Sequence, residues 1–286
     1  MKQFFTVKQY QERVLEIIID EITSRKHGRN MSWELCREMF EKYKNKAYVT
    51  EKINSAEVIC KYINQCPNIC ANIYDYLALH LTAYLASFGM YRGSTILLQY
   101  FDYTVQIGAV KILLNPKYSL LFGYCPFSEE TNLKTFYELF YDVYNELFDY
   151  YKKEVKIAQH NTIERYNKVG YPIPKKSPDV TPTLITKILL GVYGCCPAYD
   201  TFGVSAIKDL GINVYKHNVP NIEDLINKVN SIPSLKKQMT TNLAKLKAIN
   251  PLYTCMRVLD LILWSKGKGS AVFKIKSAST IGKTSI

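Results

Sequence analysis

Apolar residues recur at three- and four-residue spacing along most of this chain, the period of helices that each bury one stripe. Residues 4–24 read as a first amphipathic helix. Ser32 stands as a cap ahead of Leu35, Met39, Phe40 and Tyr43, and Glu51 to Tyr62 forms a third helix that ends near Pro67. Ile69 to Met90 is apolar nearly all round, with Ile73, Leu77, Leu81, Leu85 and Phe88 on one side and Tyr76, Ala83 and Ala86 on others. That pattern predicts a buried central helix, with His80 inside it as a hydrogen-bonded core residue. A helix over Ile96–Leu114 follows, with Ser94 or Thr95 as its cap. Phe136–Val155 carries an aromatic stripe of Phe136, Tyr137, Phe140, Tyr141, Tyr144, Phe148 and Tyr151, which is core by its spacing. Helices are also expected over 221–230, 233–249 and 251–264.

The most informative stretch is Thr183–Gly203, TLITKILLGVYGCCPAYDTFG. Leu184, Ile185, Ile188, Leu189 and Val192 make one apolar stripe. Pro178 and Pro182 precede it, where a fixed φ suits a first turn. Gly191 and Gly194 are expected to end it, and Pro197 forbids immediate continuation. Asp200 then stands where another helix would start. It has two readings: a cap for the orphan N–H groups of that helix, or a carboxylate held at a helix N-terminus for base or electrostatic work in a cleft.

The turns divide the chain. Residues 1–160 read as an N-terminal helical lobe and 161–182 as a link containing Pro172, Pro174, Pro178, Pro182 and the pair Lys175–Lys176. Residues 183–264 read as a second helical lobe carrying Asp200, and 265–286 as a Gly/Ser/Lys-rich tail. The run AVFKIK in that tail reads as a basic arm or an edge hairpin. With no strand-rich pattern, phosphate loop or GxGxxG, the fold class is all-α, two-lobed, with one small β element near the C-terminus.

Charge adds a partner class. The net charge is +12. From Thr201 onwards there are thirteen Lys and Arg against four acids, an excess of nine. Such asymmetry points to a polyanion, or to solubility alone in a Lys-rich composition. The eight cysteines lack CxxC and His spacing for zinc, so no metal is expected, and they read as reduced thiols of a cytoplasmic protein. No run is long enough to cross a membrane. Between the two apolar helices, Tyr91, Arg92, Gln99, Asp102 and Tyr103 cluster within thirteen positions. They make either an Arg–Asp structural pair or a pocket wall with stacking faces and hydrogen-bonding edges.

The segment TKILLGVYGCCPAYDT resembles the core of the helix-hairpin-helix DNA glycosylase superfamily, in which a Gly/Pro turn after the hairpin's second helix leads to an Asp at the next helix start. The chain is also similar in outline to bacterial proteins, some suspected of acting against phages with modified bases. The resemblance implies that Asp200 is the catalytic acid and that the partner is duplex DNA with its target base extruded. The enzyme would be a monomer without cofactor. The resemblance covers about a tenth of the chain, and SPDVTPT stands where hairpin glycines belong. No role for Lys187 as a Schiff-base lysine follows from it. On this reading Tyr91, Arg92, Gln99, Asp102 and Tyr103 would line the base pocket. Lys175, Lys176, Lys187, Lys266 and Lys268 would neutralise phosphates. A helical ribonuclease is disfavoured by the lack of a closely spaced Arg/His pair. A non-catalytic basic helical protein that binds nucleic acid or another partner remains the alternative.

Overall fold

A computed structural model describes residues 29–52, 73–90, 103–128, 132–169 and 180–281. The expected helix over 4–24 lies outside them, as do Tyr91, Arg92, Gln99, Asp102, Lys175 and Lys176.

The described chain is helical, with one two-stranded sheet. In order it forms α1 (Arg29–Lys52), α2 (Ile73–Ser87), α3 (Val105–Leu113), a 3₁₀ segment (Pro116–Leu121), α4 (Leu133–Val169), α5 (Pro182–Val192) and α6 (Thr201–Asp209). The hairpin strands β1 (Tyr215–Lys216) and β2 (Val219–Pro220) follow, then α7 (Ile222–Asn230), α8 (Pro233–Ile249) and α9 (Cys255–Ile281). One contiguous apolar cluster runs from Trp33 in α1 to Leu263 in α9.

The centre of that cluster is α5, where every residue from Leu184 to Val192 is buried. Thr181 caps it, its hydroxyl accepting from the Leu184 N–H at 3.3 Å, and Pro182 follows. Gly194, at φ +62°, ends it, and its N–H reaches the carbonyls of Leu189 and Leu190. Gly191 does not end the helix. A Cβ there would lie 2.4 Å from the Tyr84 ring, so this glycine lets α2 and α5 cross closely. The Tyr84 hydroxyl completes the crossing by donating to the Lys187 carbonyl at 2.9 Å. From α1, the Trp33 indole N–H donates to the Leu190 carbonyl at 3.0 Å, and Arg37 donates to that of Val192. A guanidinium at a helix C-terminus is favoured by the dipole.

Several expectations change. The helix apolar on all sides is α5 rather than α2. In α2 the stripe of Ile73, Leu77, Leu81, Tyr84 and Leu85 is buried, while Tyr76 and Leu79 are exposed. His80 is half-buried, with its ring 4.5 Å from that of Tyr76, and burial lowers its pKa. α4 runs through residue 160, so the first part of the expected link is helix. The β element is the hairpin at 215–220, where His217 and Asn218 take positive φ in the two-residue turn. The AVFKIK run instead belongs to α9, which continues to Ile281.

Gly267 lies in the part of α9 that was expected to be a tail. A Cβ there would lie 2.0 Å from the Phe202 carbonyl oxygen, so the glycine permits backbone contact between α9 and the start of α6. Gly269 has nothing within 4 Å of its missing Cβ. Two opposite outcomes follow in urea or thermal denaturation. Gly269→Ala gains helix propensity, up to about 1 kcal/mol. Gly267→Ala loses roughly 1–3 kcal/mol despite that gain, because a backbone must shift. A flexible tail would leave both variants neutral.

Candidate functional site

Between α5 and α6 the chain runs buried from Tyr193 to Tyr199. Buried backbone needs partners, and side chains supply them. Thr254 donates to the Gly194 carbonyl at 2.7 Å. Asp260 Oδ1 accepts the Ala198 N–H at 2.8 Å. Thr186 accepts the Tyr199 N–H at 3.0 Å, and Thr183 donates to the Tyr199 carbonyl at 2.7 Å.

This pinned turn delivers Asp200 to the N-cap of α6. Its Oδ1 accepts from the N–H groups of Phe202 and Gly203, at 3.1 and 3.0 Å. Gly203 is required by the same turn, since a Cβ would sit 2.5 Å from the Ala198 carbonyl oxygen. The cap reading of Asp200 therefore describes Oδ1. Both bonds fall on that one oxygen, and Asp200 also borders a cleft.

The cleft has a volume of about 230 Å³ and lies between the start of α6, α9, and the end of α2. Its apolar walls are Phe88, Phe202, Leu261 and Trp264, and its charged groups are Asp200, Lys187, Arg257 and Asp260. The rings of Phe202 and Trp264 meet edge-on at 5.7 Å. Lys187 is buried, and its ammonium donates to the Phe88 carbonyl at 3.2 Å and lies 5.2 Å from the Phe88 ring. Arg257 lies 5.9 Å from that ring and 5.2 Å from the ring of Trp33, so aromatic faces carry part of both positive charges.

Arg257 and Asp260 are buried on one face of α9, with Nη1 and Oδ2 2.5 Å apart. Burial pushes the Asp260 carboxyl above its ordinary range; the Arg257 guanidinium pulls it back, and the nearby Asp200 pushes it up again. The two carboxylates thus share one cleft in different settings: Asp260 is buried and paired, while Asp200 is partly exposed on a helix N-terminus. A second, shallower recess of about 470 Å³ adjoins Asp200 on its other side, with Thr183, Ser205, Lys208 and Tyr215 in its wall.

Of the residues expected at the site, Asp200 and Lys187 come together. Lys187 is not on an outer, phosphate-facing surface as expected, because its Nζ is turned into the wall against Phe88. Lys268 is exposed, with its ammonium 4.5 Å from the Trp264 ring, so it stands beside the aromatic wall. Lys266 is half-buried on the same helix. Tyr103 is away from the cleft lining; its hydroxyl donates to Asp75 at 3.4 Å. Phe88, Phe202, Arg257, Asp260 and Trp264 were not anticipated. The signal for Arg257 and Asp260 was their i, i+3 placement inside the otherwise apolar run MRVLDLILW.

Among the described residues no group of three or more His, Cys, Asp or Glu side chains is arranged to hold a metal ion. None of the described helices is long and apolar enough to cross a membrane. Comparisons with protein-family models, with curated proteins and with solved structures find no match to this chain.

Proposed function

We propose that the cleft is the active site of a DNA glycosylase-like hydrolase that cleaves the N-glycosidic bond of an extruded base. The observation that carries this reading is Asp200. It is a carboxylate fixed through Oδ1 at a helix start, on the edge of a cleft with aromatic walls and a buried Arg–Asp pair. Bond cleavage builds oxocarbenium-like charge on the sugar, which a fixed carboxylate stabilises while orienting water. Phe88, Phe202 and Trp264 offer faces for the base, and the cleft's size suits one small planar group better than a drug-sized ligand of about 300 Å³ or more. Arg257 and Asp260 supply hydrogen-bonding edges at the inner end of the cleft.

Phosphate contacts come from Lys266 and Lys268 beside the aromatic wall. Lys236, Lys237, Lys245 and Lys247 add to them on α8, a helix without a single acid. Lys187 lines the cleft with its ammonium held on the Phe88 carbonyl, so it lends the cleft positive charge rather than reaching the outer backbone. A damaged or modified base, such as the modified bases of phage genomes, is the substrate class; a damaged base also leaves the stack more easily.

The experiment is incubation of the full chain with normal and phage-modified duplex DNA, followed by detection of abasic sites. Asp200→Asn retains a good N-cap, so its melting temperature stays near that of the wild type, while abasic-site formation falls at least about a hundredfold. Asp200→Ala loses the cap as well, about 1 kcal/mol. Unchanged base release in Asp200→Asn, or no release from any DNA, leaves Asp200 as a cap and favours the non-catalytic reading. Duplex binding is expected to fall steeply with salt. Six phosphate contacts correspond to roughly a thousandfold loss between about 50 and 200 mM, and a flat response would remove DNA as the partner of the basic face.

A further inference from the structure

Two thiols far apart in sequence meet at the start of α9, and neither is among the residues that line the cleft. Cys125 follows the 3₁₀ segment and is half-buried; Cys255 is the first residue of α9 and is buried. The Cys255 Sγ lies 3.8 Å from the carbonyl oxygen of Tyr124, Cys125's chain neighbour. Its thiol is within hydrogen-bonding reach of the Cys125 sulfur. The backbone N–H groups of Phe127 and Ser128 and the Lys247 charge favour the Cys125 thiolate. Backbone donors and a cation around a partly exposed sulfur are the setting of a reactive thiolate. The other described cysteines, Cys36, Cys195 and Cys196, are buried.

We propose that Cys125 and Cys255 form an oxidation site, in which Cys125 is the thiol attacked first by a peroxide and Cys255 the thiol that resolves it into a disulfide. The Cys125 thiolate attacks one peroxide oxygen, the O–O bond breaks, and hydroxide leaves with the electron pair and becomes water. Cys125 is then a sulfenic acid. The Cys255 sulfur attacks it, the S–O bond breaks, and the departing hydroxide takes the Cys255 proton as a second water. Two thiols lose two electrons and two protons, and one hydrogen peroxide becomes two waters. The disulfide ties the loop after the 3₁₀ segment to the first turn of α9, the helix that carries Arg257, Asp260 and Trp264.

The Cys255 S–H contributes most to holding the Cys125 thiol down at about 7, with the Phe127 N–H and Lys247 adding to it against the opposing effect of burial. Burial, in turn, pushes Cys255 up, which keeps it protonated until the sulfenic acid forms.

The test treats the reduced full chain with hydrogen peroxide at neutral pH and maps the peptides. The expected result is a Cys125–Cys255 disulfide in the wild type, and in Cys255→Ala a Cys125 sulfenic acid that dimedone traps. In the untreated wild type, alkylation of Cys125 by iodoacetamide is half-maximal near pH 7, and in Cys255→Ala it moves towards the ordinary thiol range of about 8.5. A wild-type disulfide that omits either residue, or Cys125 alkylation with an ordinary thiol profile, overturns the proposal. Both wild-type readings hold even if the variant fails to fold.

Discussion

A single buried carboxylate joins the last helix to the turn on which the site is built. Asp260 takes the Ala198 N–H on Oδ1 and the Arg257 guanidinium on Oδ2. Neither contact suffices alone. Bringing a carboxylate out of water costs several kcal/mol, which an attractive partner offsets only when the remaining lone pairs are also satisfied. Here the satisfied lone pair is what positions the backbone two residues before Asp200. Removing Arg257 would leave a buried charge; removing Asp260 would leave a buried guanidinium and an unpaired N–H. The ion pair thus holds the turn in place from α9.

Around that point the packing is set by small residues and hydroxyls. Gly191 and Gly267 allow backbone or ring contact at two helix crossings, and Thr183, Thr186 and Thr254 satisfy the buried turn. α5 lies at the centre because it has no polar face to give to solvent: even its one charged side chain, Lys187, turns its ammonium to a carbonyl and a ring.

Much of this was legible in the chain. Proline before α5, glycine after it and the lone acid beyond Pro197 placed the helix, the turn and the N-cap correctly, because each residue acts through local backbone geometry. The cleft was less legible because it is made by distant elements. Phe88 reads as core from its spacing. Arg257 and Asp260 read as surface charge in a count, and only a tertiary partner such as Ala198 N–H tells a buried i, i+3 pair from a solvated one. The Gly-Lys-Gly stretch reads as flexible, whereas Gly267 is there to touch Phe202. The hairpin lacks the Asn-Gly signature, since His217 rather than glycine shares the left-handed turn with Asn218.

Asp200 borders two hollows, one aromatic and one rich in hydroxyls. Whatever fills either of them strips water from the same side chain and so changes its field in the other. Occupants of the two sides are therefore linked energetically even if the backbone never moves, and their binding free energies will not simply add.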